Sequence, residues 1–368
     1  MLVSIKKCED YIFEDVYNTI NEGIKELEDL KYLNGKKVLI KPNFLAPKSV
    51  EKAVTTHPII IKAVARIINE NGGKVYIGDS PGIGSVKLVS KIIGLDKLIE
   101  EENCELVDFS EKIDIKNPKG VLVKNFTIAK IVTEVDYIFN LPKLKTHGMT
   151  KYTGAVKNMF GIVPGTLKPQ FHYRFPDIEN FAQMLVDLNI LVKPVFHIMD
   201  AIVSMEGNGP GNGTPRKSGL ILISKDPIAL DTTACRLINL NPEKIFTNTI
   251  GEKSGLGTSK NIQIIGEKLE DLIMKDYKHV EKNVDLTKLL PLPKPLKKIL
   301  KTILVPKPHF LHKKCIMCKE CINVCPSSPK SLKIKENKIV INHKTCIRCF
   351  CCQEMCPPGA IVLRRFTK

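Results

Sequence analysis

Two runs near the carboxyl end carry the plainest chemistry. Cys315, Cys318 and Cys321 stand at every third position and lead to Cys325-Pro326; Cys346, Cys349 and Cys352 repeat the spacing and lead to Cys356-Pro357. Thiolates are soft ligands suited to iron–sulfur chemistry. Structural zinc, the rival use of clustered cysteines, usually takes two Cys-x-x-Cys-like pairs separated by a longer loop. Nine of the twelve cysteines lie in the last 54 residues, with Cys8, Cys104 and Cys235 scattered elsewhere, which argues against a disulfide framework. Cys351 breaks the spacing beside Cys352 and reads as a spare buried thiol, with a role as alternative ligand the competing reading.

The paired runs resemble the bacterial ferredoxin pattern, in which three close cysteines wrap one cubane and the fourth reaches the other. That resemblance implies two [4Fe–4S] clusters. It places Cys315, Cys318, Cys321 and Cys356 on one, and Cys346, Cys349, Cys352 and Cys325 on the other. Leu332–Ile334 and Lys338–Ile341 flank a turn as a ferredoxin hairpin would, and the Gly-Ala-Ile-Val-Leu stretch from Gly359 resembles its closing strand.

A second set of chemically capable residues is dispersed over the first 270 positions. Lys41, Lys143, Lys145 and Lys157, with His57 and His147, would give a concave rim fixed positive charge and two titratable imidazoles, suited to an anion. Asn43, Asp79 and Asn158 join Lys41, Lys143 and Lys157 as candidate substrate ligands, and His147, His57 and Lys145 are the candidates for proton transfer. Asp79, Asp200, Glu206 and Asp231 have the chemistry of metal ligands or acid–base groups, and equally of structural ion pairs. Blander readings stand beside these. His57 before Pro58 also reads as a helix cap, Asn43 and Asn158 as loop ties, and His172 and His197 as core or surface histidines. The run Glu206 to Gly219 (EGNGPGNGTPRKSG) is neither a P-loop nor a dinucleotide fingerprint. It reads as a flexible connection, or as a lid or backbone cradle for an anion helped by Arg216 and Lys217.

The elements that must position these residues alternate. Apolar β-branched runs predict strands at Val38–Ile40, Lys74–Gly78, Glu105–Phe109, Tyr137–Asn140, Val195–Ala201, Gly219–Ser224 and Asn261–Ile265. Helical periodicity predicts Pro58–Asn71, Ser85–Ile93, Leu95–Glu102, Ile178–Val192 and Ala229–Asn239. Strand and helix in alternation mean an α/β domain with a mostly parallel sheet, followed by a small α+β module. Polar loops at Lys41, Asp79, Leu141 to His147 and Asp200 follow the strands, and ligands bind at the carboxyl ends of such strands, so the loops are expected to share one rim. The domains are expected at 1–288 and 310–368, with 289–309 a Pro- and Lys-rich linker enclosing a short amphipathic helix, Leu296–Val305.

The large domain resembles the family known as the domain of unknown function 362. The matching stretches are Lys41-Pro42-Asn43, Thr56-His57-Pro58, Gly78-Asp79-Ser80-Pro81-Gly82, Asn140 to His147, Gly154 to Asn158, Met205-Glu206-Gly207 with the Gly-Pro-Gly that follows, and Asp226-Pro227 before Ala229-Leu230-Asp231. The resemblance implies fusion to ferredoxin modules and no secure reaction.

The formal charge of +17 favours acidic partners. These are an acidic redox protein, an anionic metabolite, anionic lipid through peripheral membrane contact, or nucleic acid. The last is disfavoured because aromatic stacking platforms are scarce. No apolar run reaches the ~18 residues of a membrane span, and the amino terminus lacks the apolar core of a signal peptide, so the chain reads as cytoplasmic. The Lys, Ile and Glu bias without Trp suits a thermophilic anaerobe. Two functions stay open: a ferredoxin-dependent oxidoreductase acting on an anionic substrate, or a non-catalytic polyferredoxin-type carrier docking a larger redox complex.

Overall fold

Consecutive apolar residues become strands here because the sheet is covered on both faces. In the strand that begins at Lys37, Val38 and Ile40 enter one core and Leu39 the other, the period of two that pleating imposes. The computed structural model describes residues 1–165, 167–280 and 307–364. Its large domain contains β1 (Leu2–Lys7), β2 (Lys37–Pro42), β3 (Lys74–Asp79), β4 (Glu105–Asp108), β5 (Lys112–Lys116), β6 (Asn125–Ala129), β7 (Tyr137–Leu141), β8 (Lys143–His147), β9 (Lys151–Thr153), β10 (Phe196–Glu206), β11 (Thr214–Ser224) and β12 (Gln263–Gly266). Ten of these form one sheet in the order β12-β1-β11-β10-β7-β2-β3-β4, with β8 joined to β10 and β9 to β8. The stretch from β10 to β4 is parallel, whereas β11 runs antiparallel to both β10 and β1, so the sheet is mixed.

Helices Phe13–Lys25, Pro58–Glu70 and Val86–Ile93 cover one face, burying Val16, Ile20, Ile60 and Val89. Ile178–Val192 and Pro227–Leu237 cover the other. Pro58 and Pro227 occupy first helical positions, where a missing N–H costs nothing, and His57 and Asp226 cap the helix starts behind them. Among the described residues no helix is long and apolar enough to cross a membrane.

Several expectations need correction. Leu141 to His147 is not a loop: Pro142 interrupts β7, having no N–H for the ladder, and the chain resumes as the wholly buried β8. β10 runs on to Glu206 and supplies the pairing edge for it, while Asp200 N donates to the Pro142 carbonyl at 2.9 Å. The glycine-rich run is likewise only partly a connection, because Thr214–Gly219 pairs with β10 as strand and the turn is confined to Gly207–Gly213. β1, the helix Phe13–Lys25 and the β5–β6 hairpin were not legible as elements.

The second module contains β13 (Lys307–Phe310), β14 (Leu332–Lys335), β15 (Lys338–Ile341) and β16 (Ile361–Arg364), paired β13–β16 and β14–β15. Lys307–His309, expected in the linker, belongs to this module, because Lys307–Phe310 lies antiparallel against Ile361–Arg364. The expected helix Leu296–Val305 and the 288/289 boundary fall outside the described residues.

Candidate functional site

The lysines expected on one rim divide between two buried networks. In the first, Lys143 Nζ donates to Asp200 Oδ2 at 2.7 Å and to the Tyr11 hydroxyl at 2.8 Å, while Tyr11 donates to Asp200 Oδ1 at 2.8 Å. The His57 backbone N–H closes the set on Asp200, and the His57 ring stacks on Tyr11 with centroids 3.6 Å apart. His57 Nδ1 accepts from Ile59 N, so this histidine caps a helix. Burial pulls its pKa down to about 4. Neither Lys143 nor His57 reaches the cavity described next.

The second network surrounds a cavity of about 120 Å³ at the carboxyl ends of β2 and β3. Lys41 Nζ pairs with Asp79 Oδ1 at 3.0 Å and donates to Asn158 Oδ1 at 3.2 Å. Asp79 is further held by Phe44 N and Ser80 N. Asn43 Nδ2 also donates to Asn158 Oδ1, at 2.8 Å, and Asn43 Oδ1 accepts from Lys145 Nζ, which donates as well to the Val54 carbonyl. Gly161 lies against this wall, where a Cβ would strike both Asp79 and Lys41. Lys157 and Lys168 complete the cationic lining. Lys168 Nζ donates to the Ser80 carbonyl, and Lys157 has no hydrogen-bond or ion-pair partner among the described residues.

Burial pushes the pKa of Lys168 down to about 7. Lys145 lies well below the ordinary lysine range, through burial and then through the neighbouring charges of Lys157, Lys143 and Lys41. Lys157 is lowered by burial, against an opposing pull from Glu354. Four lysines face two carboxylates, Asp79 and Glu354, so the lining has room for negative charge.

Glu354 belongs to the second module, and so do Val324, Cys351 and Met355, which close the cavity from the other side. His147 Nδ1 accepts from the N–H groups of Met149 and Thr150, which places the ring hydrogen of the neutral imidazole on Nε2. That atom faces Glu354 Oε1 at 3.4 Å, and neither has a hydrogen-bond partner among the described residues. The tip of the β10–β11 hairpin grips the same module. Asn208 Oδ1 accepts from Gln353 Nε2 at 3.1 Å, and Asn212 Nδ2 donates to the Gln353 carbonyl at 3.3 Å.

The two cysteine runs follow a common backbone path. In each run the second and fourth residues after the first cysteine are left-handed, Met317 and Lys319 in one and Arg348 and Phe350 in the other, so the two backbones wind alike. Non-glycine residues hold that conformation at a cost of order 1–3 kcal/mol, a strain characteristic of functional sites. The thiols acting electrostatically on Cys321 are Cys356, Cys318 and Cys315, and those acting on Cys352 are led by Cys349 and Cys346, with Cys321 and Cys325 following. Cys351 is buried.

Lys41, Asn43, Asp79, Lys145, Lys157 and Asn158 therefore meet as expected, His147 stands behind Glu354, and Lys143 and His57 belong elsewhere. The four acids do not gather around one ion. Asp200 serves Lys143, Asp231 accepts from Ala155 N, Val156 N and the Tyr152 hydroxyl, and Glu206 pairs with Arg216. Arg216 and Lys217 turn to Asp276 and Asp10 rather than to an anion site. His197 is core, but His172 lines the cavity. Lys168, Glu354 and His172 were missed as site residues, and only the placing of Glu354 between two ligand cysteines offered a signal.

A model of a family described as a domain of unknown function, DUF362, matches residues 38–236, and a 4Fe–4S dicluster domain matches 307–357. The chain is 35% identical over 223 residues to a thylakoid-associated protein of Synechocystis, spanning 60% of this chain and 69% of that one. Among solved structures it is similar to the lactate racemase apoprotein of Thermoanaerobacterium thermosaccharolyticum, with 15% identity, a TM-score of 0.43, and coverage of 64% of this chain and 56% of that one. A Thermotoga maritima protein follows with 13% identity, a TM-score of 0.33, and coverage of 54% and 52%. The chain thus spans little more than half the length of these two structures.

Proposed function

This chain belongs to the DUF362 family and carries an iron–sulfur electron-carrier module of the 4Fe–4S dicluster kind, and from these premises we propose that it is an oxidoreductase exchanging electrons with a small anion held between its two parts. One observation carries the reading: the cavity wall is shared, with Lys41, Lys145, Lys157 and Lys168 on one side and Cys351 and Glu354, from the helix bearing Cys352, on the other. When bound by the cysteines of the two runs, [4Fe–4S] clusters would supply single electrons.

The chain's own residues do the rest. Lys157, which makes no hydrogen bond or ion pair among the described residues, binds the anion; enclosure lowers the local dielectric and strengthens that attraction. Lys41, Asn43 and Asn158 are held by one another and fix the shape of the wall. Lys168, with a pKa of about 7, is balanced between its charged and neutral forms near neutrality and holds a transferable proton at Nζ. The volume compares with the ~150 Å³ cavity that accepts benzene, so the ligand has roughly six non-hydrogen atoms. A small carboxylate or inorganic oxyanion meets both limits.

The test is anaerobic purification, counting of iron and sulfide, mass spectrometry of released small molecules, and turnover with a reduced ferredoxin. A bound anion that is reduced or oxidised with consumption of ferredoxin electrons supports the reading. If the loaded protein exchanges electrons with a partner enzyme and converts no metabolite, it is a carrier instead.

A further inference from the structure

Cys318 is the one exposed thiol of the twelve. The strip around it, from His312 to Lys319, contributes nothing to the cavity, whereas Cys351, beside Cys352 of the other ligand set, lines it. On that strip Ile316 is 66% exposed, more than any other large hydrophobic among the described residues. Lys313, Lys314 and Lys319 are exposed around it, and none enters an ion pair among the described residues. The described part of the module, residues 307–364, carries eleven Lys and Arg against three Asp and Glu, and one of those three, Glu354, is turned into the cavity.

An apolar centre within a charged rim is the anatomy of a transient protein interface. A single-sign rim steers a partner of the opposite sign and raises its encounter rate. A lipid surface would be gripped by a broad apolar face, and one isoleucine between lysines does not provide one.

We propose that the His312–Lys319 strip is the docking face for an acidic one-electron carrier protein, with the cluster on Cys315, Cys318, Cys321 and Cys356 as the point of electron entry. Each encounter oxidises the carrier by one electron and reduces the chain by one, with no bond made or broken and no proton transferred. Two encounters load both clusters, and Cys352 of the second set directly follows Cys351, which lines the cavity. The inference rests on the two-cluster reading and not on the identity of the cavity's ligand.

The experiment uses the reconstituted full chain and follows cluster reduction by stopped flow, with a reduced acidic bacterial-type ferredoxin as donor and photoreduced deazaflavin as an uncharged small reductant. In K313E/K314E/K319E the rate with ferredoxin should fall by at least about tenfold at low salt and lose its ionic-strength dependence, while the deazaflavin rate and iron content hold. Calorimetric titration with oxidised ferredoxin should show the same loss of binding, and Ile316→Glu should weaken both. Charge reversal on the hairpin, K333E/K335E/K338E, should leave the ferredoxin rate unchanged. Equal ferredoxin rates in wild type and strip variant overturn the proposal, as does a loss confined to the hairpin variant. So does a strip variant that loses only cosedimentation with phosphatidylcholine–phosphatidylglycerol vesicles. An iron count of about four per chain would instead remove the two-cluster reading before any kinetics.

Discussion

Lys41 with Asp79 and Lys143 with Asp200 are the same chemical object, a lysine beside a strand-interrupting proline paired with a buried carboxylate 3.0 or 2.7 Å away. Their surroundings set them apart. Around Asp200 every strong donor is matched: Lys143, Tyr11 and the His57 N–H fill the carboxylate, and the ring of His57 seals the pair. Around Asp79 the pair is one side of a chamber with two further cations, Lys168, held by the Ser80 carbonyl, and Lys157, which has no hydrogen-bond or ion-pair partner among the described residues. A buried ion pair is thus structural when its partners are exhausted and site-forming when an excess of one sign is left facing a void.

The sharpest way to break this contrast is to remove one member of the sealed pair. Asp200→Asn or Lys143→Met should cost about 3–5 kcal/mol of stability, the penalty for an uncompensated buried charge, read from the denaturant midpoint at constant slope. Lys157→Met should do the reverse. Stability holds or rises, because a desolvated cation without a partner is removed, while affinity for a small carboxylate falls at least about tenfold by calorimetry, the loss of one charge-assisted contact. If the two variants exchange phenotypes, the assignment of structural and functional networks is wrong.

Protonation separates the networks further. Lys168 has a folded pKa of about 7 against 10.5 for a free lysine, so between those values the unfolded chain binds the extra proton. The burial penalty is present in full below pH 7 and fades as pH rises toward 10.5. Relative to Lys168→Met, the parent chain should therefore gain stability across that window, and its anion affinity should weaken as pH rises through 7. A flat difference between the two proteins would show that Lys168 is not desolvated. The smallest effect is expected from Cys351→Ser, which should retain about eight irons per chain by metal analysis, since the crossed ligand sets do not use that thiol; loss of half the iron would make Cys351 a ligand.

The cysteine runs were readable in the sequence because wrapping a cluster fixes local spacing, and the same left-handed positions recur in both. The loops after β2 and β3 were readable because a parallel sheet gathers them at one end, which is why Lys41, Asn43 and Asp79 converge as anticipated. Lys143 and Lys145 are not distinguishable in the sequence, since they lie two residues apart on a short strand whose polar residues resemble a loop. The β8–β10 register shifts between them, with Asp200 opposite Lys143 and Met205 opposite Lys145. Lys168 and Glu354 were invisible for another reason: each acquires its meaning from a partner more than 80 residues away, Ser80 for the first and His147 for the second. The mixed sheet was hidden because β1 and β11 pair across some 220 positions.

The hairpin tip that grips Gln353 has a thermodynamic corollary. Because one side of the cavity comes from the cysteine-bearing module, metal loading and anion affinity should be linked functions of one docking equilibrium. Reciprocity then runs in both directions. A ligand in the chamber should slow iron loss to a chelator, and a chain not yet furnished with iron should bind the ligand more weakly.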